Sequence, residues 1–209
     1  MDVTCPVLLG THVRMEPLTR AHVAPLLAAA GQEATLYRWS YIPQDPTGMA
    51  RYVEAALAAR AAGTAFPFAT VRQADGVVLG SSRFFDIERW GWPEGHPESQ
   101  RTAPDGCEIG YTWLSPAAIR TAANTDAKLL MLTQAFEGWG VKRVCFHTDA
   151  RNERSRAALE RIGAKFEGVL RAHRLSADLL PRDSARYSIL AAEWPGVRAH
   201  LHSKLARAA

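Results

Sequence analysis

The residues best suited to chemistry lie where a strand hands over to a helix. Glu108-Ile-Gly-Tyr-Thr-Trp-Leu-Ser-Pro is followed closely by Arg120-Thr-Ala-Ala-Asn-Thr-Asp-Ala-Lys128. Small side chains at Thr121, Ala122 and Ala123 leave the backbone N–H groups of a helix start open to an anion, and the helix dipole favours negative charge there. That is the geometry a pyrophosphate needs. Arg120 and Lys128 would add charge-assisted contacts to its oxygens. A capped helix after a strand is also a common structural element, so this segment alone does not define a site.

Other side chains offer fewer options. His147 precedes Asp149 on a short strand and is a candidate base, but one His at an alternating strand position equally suits a packed residue. Trp39 and Tyr41, with the Trp90 to Trp92 segment, could wall an acceptor pocket or lie as lids over the core. Cys5, Cys107 and Cys145 are far apart, odd in number and without metal-ligand spacing, so neither a disulfide framework nor a zinc site is expected. No Cys–His spacing argues for a thiol nucleophile.

The elements that must position these residues follow from periodicity. Val13 to Leu18 predicts a first strand, then Thr19 to Ala30 and Thr47 to Ala62 predict helices, each opening on an N-capping Thr. Phe66 to Arg72 and Val77 to Ile87 predict a hairpin joined by Gln73-Ala74-Asp75-Gly76. Trp90 to Pro104, rich in Gly and Pro, reads as a long loop. Cys107 to Leu114 is a strand ended by Ser115-Pro116, with a helix to follow. From Asn124, the apolar spacing of Leu129, Leu132, Phe136 and Trp139 marks an amphipathic helix that Gly140 stops. Val144 to Thr148 is a strand, and Asn152 to Ile162 a helix with Asn152 as N-cap and Gly163 as stop. Phe166 to His173 and Ala185 to Leu190 close the sheet, and Trp194 to Leu205 forms a last helix. This order implies an α/β or α+β sheet with a parallel pair near its middle, and such a pair creates a crevice.

Composition bounds the function. A chain of 209 residues, 47% hydrophobic, has the size of one domain spanning 1–209. Its 25 Lys plus Arg against 21 Asp plus Glu give a net charge of +4 without a long basic run. That favours an anionic cofactor or substrate over a dedicated nucleic-acid surface. The densest stretch, Arg151 to Arg161, alternates with Glu153 and Glu160 as a solvated helix face would. No apolar run approaches the ~20 residues that span a bilayer, and no leader pattern opens the sequence, so a cytoplasmic protein without membrane partners is expected.

The stretch from His147 through Asn152, Ser155 and Gly163 to Arg171 resembles the second half of the cofactor core of the GNAT acyltransferase superfamily. It is most similar to the branch containing the RimJ and RimL ribosomal-protein N-acetyltransferases. Leu9-Gly-Thr-His-Val-Arg-Met-Glu-Pro-Leu and Asp183-Ser-Ala-Arg-Tyr-Ser-Ile extend the resemblance over nearly the whole chain. It implies a mixed, twisted, mostly antiparallel sheet of about seven strands, flanked by helices, whose central parallel strands near Glu108 and Val144 splay apart. Acetyl-coenzyme A would lie in that opening, without a metal. Its pantetheine would pair with the strand at Trp113 and Leu114, and its pyrophosphate would sit on Arg120, Thr121, Ala122, Ala123, Asn124 and Thr125, where the wider superfamily usually has glycines. Asn152 falls where the family places an Asn against pantetheine, and Ser155 where a hydroxyl meets the departing thiolate. Glu108 is the candidate base, acting through water, and Ser155 the candidate acid; Glu108 paired with an Arg, or Ser155 satisfying a helix start, are the plain alternatives. The acceptor would be an amine of a small molecule or a protein N-terminus, and a homodimer is a candidate assembly. Two further readings keep the fold: an aminoacyl-tRNA donor, or a non-catalytic module binding coenzyme A or a protein.

Overall fold

The computed structural model describes residues 5–31 and 34–207. Among the described residues, eight strands form one sheet: β1 (Leu8–Leu9), β2 (Val13–Pro17), β3 (Ala65–Arg72), β4 (Val78–Glu88), β5 (Gly106–Leu114), β6 (Arg143–Asp149), β7 (Lys165–Leu175) and β8 (Pro181–Leu190). Their order is β1-β2-β3-β4-β5-β6-β8-β7. Every neighbouring pair is antiparallel except β5 and β6. Five α-helices accompany them among the described residues: α1 (Val23–Ala30), α2 (Pro46–Ala61), α3 (Ala123–Thr133), α4 (Glu153–Arg161) and α5 (Trp194–Ala206).

The sheet has one strand more than expected. The addition is β1, two residues long and too short for a periodic signal. It is anchored from a distance: the Asp126 carboxylate of α3 accepts the His12 and Val13 amides at 2.6 and 3.0 Å, pinning the β1–β2 turn.

Two apolar cores sandwich the sheet. Leu129, Met131 and Leu132 of α3, Leu159 of α4 and Leu201 of α5 pack with Val13, Phe84, Ile109, Val144 and Tyr187 on one face. Leu26 of α1 and Met49 and Val53 of α2 pack with Ala69, Val71 and Trp113 on the other. Burial of this kind is the main favourable term in folding. The second core stops short of β6, β7 and β8, and the face those strands share with Glu108 carries polar side chains instead.

Local chemistry sets the helix ends. Helix α2 starts at Pro46, not at Thr47: proline loses no hydrogen bond at the first helical position, and Asp45 caps by accepting the Gly48 amide at 2.8 Å. Thr19 caps a single 3₁₀ turn, Arg20–His22, that leads into α1. Between Ser115 and α3, the helix expected to follow β5, lies one 3₁₀ turn, Pro116–Ala118. Helix α3 continues through a π-helical turn, Gln134–Gly138, before Gly140 at φ +64° redirects the chain.

Candidate active site

Strands β5 and β6 pair only at Gly106↔Arg143, Cys107↔Val144 and Glu108↔Cys145. Beyond that point β5 stays with β4 as far as Leu114, and β6 stays with β8 as far as Asp149. The two strands therefore diverge, and the edge of β5 from Ile109 onward faces an opening. A bulge sharpens the divergence. Between the pairs Arg83↔Gly110 and Ser81↔Trp113, β5 holds one residue more than β4, with Tyr111 at φ +50°. Trp113 turns into the second core, edge-on to Tyr37 at 5.8 Å, and the Leu114 carbonyl accepts from the Tyr37 hydroxyl at 3.0 Å.

At the wide end of the opening, the chain from Ser115 enters α3 through an unusual corner. Arg120 sits at φ +62°, in the left-handed region where glycine is the ordinary choice. Thr121 ties the corner, donating to the Ala118 carbonyl at 2.8 Å and accepting the Ala123 amide at 3.2 Å. The N-cap position is Ala122, which supplies no side-chain acceptor. Among the described residues, the amides of Asn124 and Thr125 form no hydrogen bond, so they remain available to an external anion.

Two hollows meet at Arg120. One, of about 520 Å³, is walled by Leu36, Pro116, Ile119 and Arg154. The other, of about 680 Å³, runs along Thr121, Ala122 and Thr125 to Arg161, Lys204 and Arg207. Among the described residues neither lining contains a carboxylate, and the charged side chains that line the groove are all basic.

Lys128 does not join this groove, contrary to its expected phosphate contact. One helical turn beyond Asn124 it points inward, is almost fully buried, and donates to Thr112 Oγ1 at 2.7 Å and Ser82 Oγ at 3.4 Å. With no carboxylate to offset its burial, its pKa falls to about 7. Arg161 takes the outward position instead, donating to Thr125 Oγ1 at 2.9 Å.

Asn152 caps α4, its Oδ1 accepting the Ser155 amide at 3.1 Å. Its side-chain NH₂ is not consumed by that bond. Ser155 is half-buried at the third position of the helix.

The narrow end of the opening holds an ionisable pair. Glu108, 3% exposed, meets Nδ1 of His147 at 2.5 Å through its Oε2. Next to a carboxylate, Nδ1 acts as the donor, which leaves Nε2 as the ring's second polar atom. That Nε2 is buried and has no partner among the described residues. Arg174 reaches over from β7, 3.6 Å from Glu108 Oε2 and 2.5 Å from Asp86 of β4. The β7–β8 hairpin thus folds across the pair. His173 brings its ring within 4.7 Å of His147. Burial, then the charges of His147 and Arg174, hold its pKa below the usual imidazole value.

Of the aromatic residues, Trp39 lies between the guanidinium groups of Arg38 and Arg151, 4.9 and 4.8 Å away. Arg151 is in turn held by Asp149 at 2.8 Å, whose pKa that contact lowers. Tyr41 is 69% exposed. Trp90 and Trp92 gather at the start of β5, where the Trp90 amide and Trp92 Nε1 donate to Asp105 at 2.8 and 3.0 Å. The structure therefore brings together Glu108 with His147, and Arg120 with the start of α3. Sequence reasoning missed Arg174, His173 and Asp86, which reach the site only through the fold of the hairpin.

With this geometry in view, the chain belongs to the GNAT acetyltransferase family, whose Acetyltransferase (GNAT) domain matches residues 12–165. It is an acyl-coenzyme A N-acyltransferase. A Bacillus subtilis (strain 168) relative, YdaF, provisionally named as a ribosomal N-acetyltransferase, is 28% identical over 194 residues, covering 92% of this chain and 98% of its own. A GCN5-related N-acetyltransferase from Brucella melitensis superposes with a TM-score of 0.82 at 26% identity, over 97% of this chain and 86% of that one. The fold is shared with Mycobacterium smegmatis RimJ, solved in complex with CoA-disulfide: TM-score 0.75, 20% identity, 96% of this chain and 92% of that one. Among the described residues, no helix is long and apolar enough to cross a membrane.

Proposed function

We propose that this protein transfers an acetyl group from acetyl-coenzyme A directly to a primary amine, of a protein N-terminus or a small molecule, in a ternary complex. The observation that carries this reading is the opening itself: a diverging parallel pair with the buried Glu108–His147 contact at its apex and a carboxylate-free basic groove at its mouth. When bound, the cofactor supplies an activated thioester.

The residues present suit that group. The free edge of β5 toward Trp113 and Leu114 offers main-chain pairing to amides. The unbonded amides of Asn124 and Thr125, together with Arg120 and the small residues Thr121, Ala122 and Ala123, suit a pyrophosphate. Asn152, the cap of α4, is proposed to give its side-chain NH₂ to the pantetheine.

For the amine, the need is a proton acceptor in a site largely shielded from water. Glu108 fills it, directly or through water, with His147 Nδ1–H orienting the carboxylate and Nε2 as a second acceptor. Ser155 is the proposed proton donor to the leaving sulfur. Trp39, whose ring lies against Arg151, and Tyr41 two residues on are proposed to border the acceptor.

Isothermal titration with coenzyme A, followed by an assay of coenzyme A release across amines and N-terminal peptides, tests the reading. Saturable binding with amine-dependent release is expected. Absence of saturable binding removes the proposal.

A further inference from the structure

The face that carries Glu108 and His147 holds a surplus of unspent hydrogen-bonding atoms. Among the described residues, eight buried side-chain nitrogen or oxygen atoms have no hydrogen-bond partner within the protein. Six of them belong to His147, His173, Arg174, Arg182, Ser184 and Arg186, all on or beside this face. Native interiors leave few such atoms, so their gathering in one place marks a spot where a partner from outside the chain, water or ligand, completes the bonding. Arg174, Arg182 and Arg186 contribute guanidinium Nε–H groups, which only donate, that of Arg186 lying 3.3 Å from Glu167 Oε2, and the Ser184 hydroxyl can donate as well. The missing partner is rich in acceptors.

Charge narrows the choice further. Glu108 is engaged by His147 and Arg174, Asp86 by Arg174, Asp149 by Arg151, and Glu167 by Arg143 and Arg186. Arg182 is the cation left over. It faces Arg174 across the β7–β8 ladder, and among the described residues it forms no ion pair. Burial in the first place, and Arg174 beside it, push its pKa below the usual guanidinium range, against the pull of Asp149 and Glu108. Arg83 also lacks a carboxylate, but its cation is compensated from within the protein by the rings of Tyr52 and Tyr111, 5.3 and 3.9 Å away. Arg182 has no such neighbour.

We infer that Arg182, with the Ser184 hydroxyl two residues along the same face of β8, holds a carboxylate of the acceptor. The amine brought to Glu108 and His147 then belongs to an amino carboxylic acid, either free or at the acidic N-terminus of a peptide. This inference rests on the acetyl-transfer reading and names the acceptor class for the same site.

The test uses the full chain, acetyl-coenzyme A and matched acceptors that differ by one carboxylate. Free amino acids are compared with their amides, and peptides beginning with Asp or Glu with those beginning with Asn or Gln, kcat and KM being measured for each. The carboxylate member of the productive pair should be preferred by about 10- to 100-fold in kcat/KM, mainly through KM. Which set of pairs shows the preference identifies the source of the carboxylate. Arg182→Met should bring the ratio near one, and Arg182→Lys should keep part of it; the Lys variant carries the test if the Met variant melts early. Equal use of both members by the unmodified protein, or an equal loss on both members in the variants, overturns the inference. Failure to acetylate any carboxylate-bearing amine overturns it too. If coenzyme A still binds saturably in that case, only the acceptor class falls, whereas loss of that binding removes the acetyl-transfer reading as well.

Discussion

The two ends of the β5–β6 opening are built in opposite ways. At the wide end, cations stand without carboxylates along Arg120, Arg161, Lys204 and Arg207, and the donors come from a few consecutive residues at the start of α3. At the narrow end, almost every charge is matched, and the partners arrive from β4, β5, β6 and β7. The difference teaches what each end is ready to receive. An unmatched basic groove attracts a polyanion from solution, whereas the role proposed for the buried, paired Glu108 is to act on one proton.

The sharpest break of that comparison is at the narrow end. Glu108→Gln should lower kcat by about 100-fold or more, with the Kd for coenzyme A, read by titration, changed less than about twofold. A parallel loss of coenzyme A binding would mean that the two ends are not separate.

Lys128 sharpens the comparison from between the two ends, since it is a cation of α3 that serves neither. Its ordinary pKa of 10.5 is retained in the unfolded chain, while the folded value is about 7. Between those values the unfolded state binds more protons, so stability rises as pH increases from about 7 to 10.5 and the penalty is fully present below 7. Lys128→Met removes that penalty and leaves Ser82 and Thr112 bonded to each other at 2.8 Å. Thermal melting should show a gain on the order of 2 kcal/mol at pH 6 and a flatter pH dependence above 7. A variant less stable than the parent at pH 6 contradicts this account.

At the wide end, Arg120→Gly separates charge from backbone. It should weaken coenzyme A binding by about tenfold, while stability holds or rises because glycine relieves about 1 kcal/mol of left-handed strain. A smaller effect is expected from Asn152→Ala, which removes the α4 cap at a cost of about 1 kcal/mol in chemical denaturation. If Asn152 also binds the cofactor, coenzyme A affinity falls beyond what the stability loss accounts for.

Much of the wide end was legible because its physics is local. Asn152 reads as an N-cap, Gly163 as a stop, and the Asp75-Gly76 turn as a hairpin, since each depends on hydrogen bonds and dihedral preferences within a few residues. Thr47 misled because Asp45-Pro46 is a stronger start one residue earlier. Lys128 misled for another reason: the helix phase that spaces Leu129 and Leu132 on the core face also carries its ammonium inward. The short β1 was invisible because two residues show no alternation, and Asp126, more than 100 residues away, holds it in place.

The sequence by itself determined which segments are strands and helices, where the helix that opens the basic groove begins, and which family these segments match. Those properties arise from neighbours along the chain, whose encounters need little ordering. Only the tertiary structure decided that Glu108 meets His147 across 39 residues, that Arg174 crosses 88 residues to Asp86, and that Arg182 Nε is left without a hydrogen-bond partner among the described residues. Such contacts depend on strand register, on the divergence of β5 from β6 and on the curl of one hairpin, and no spacing along the chain records them.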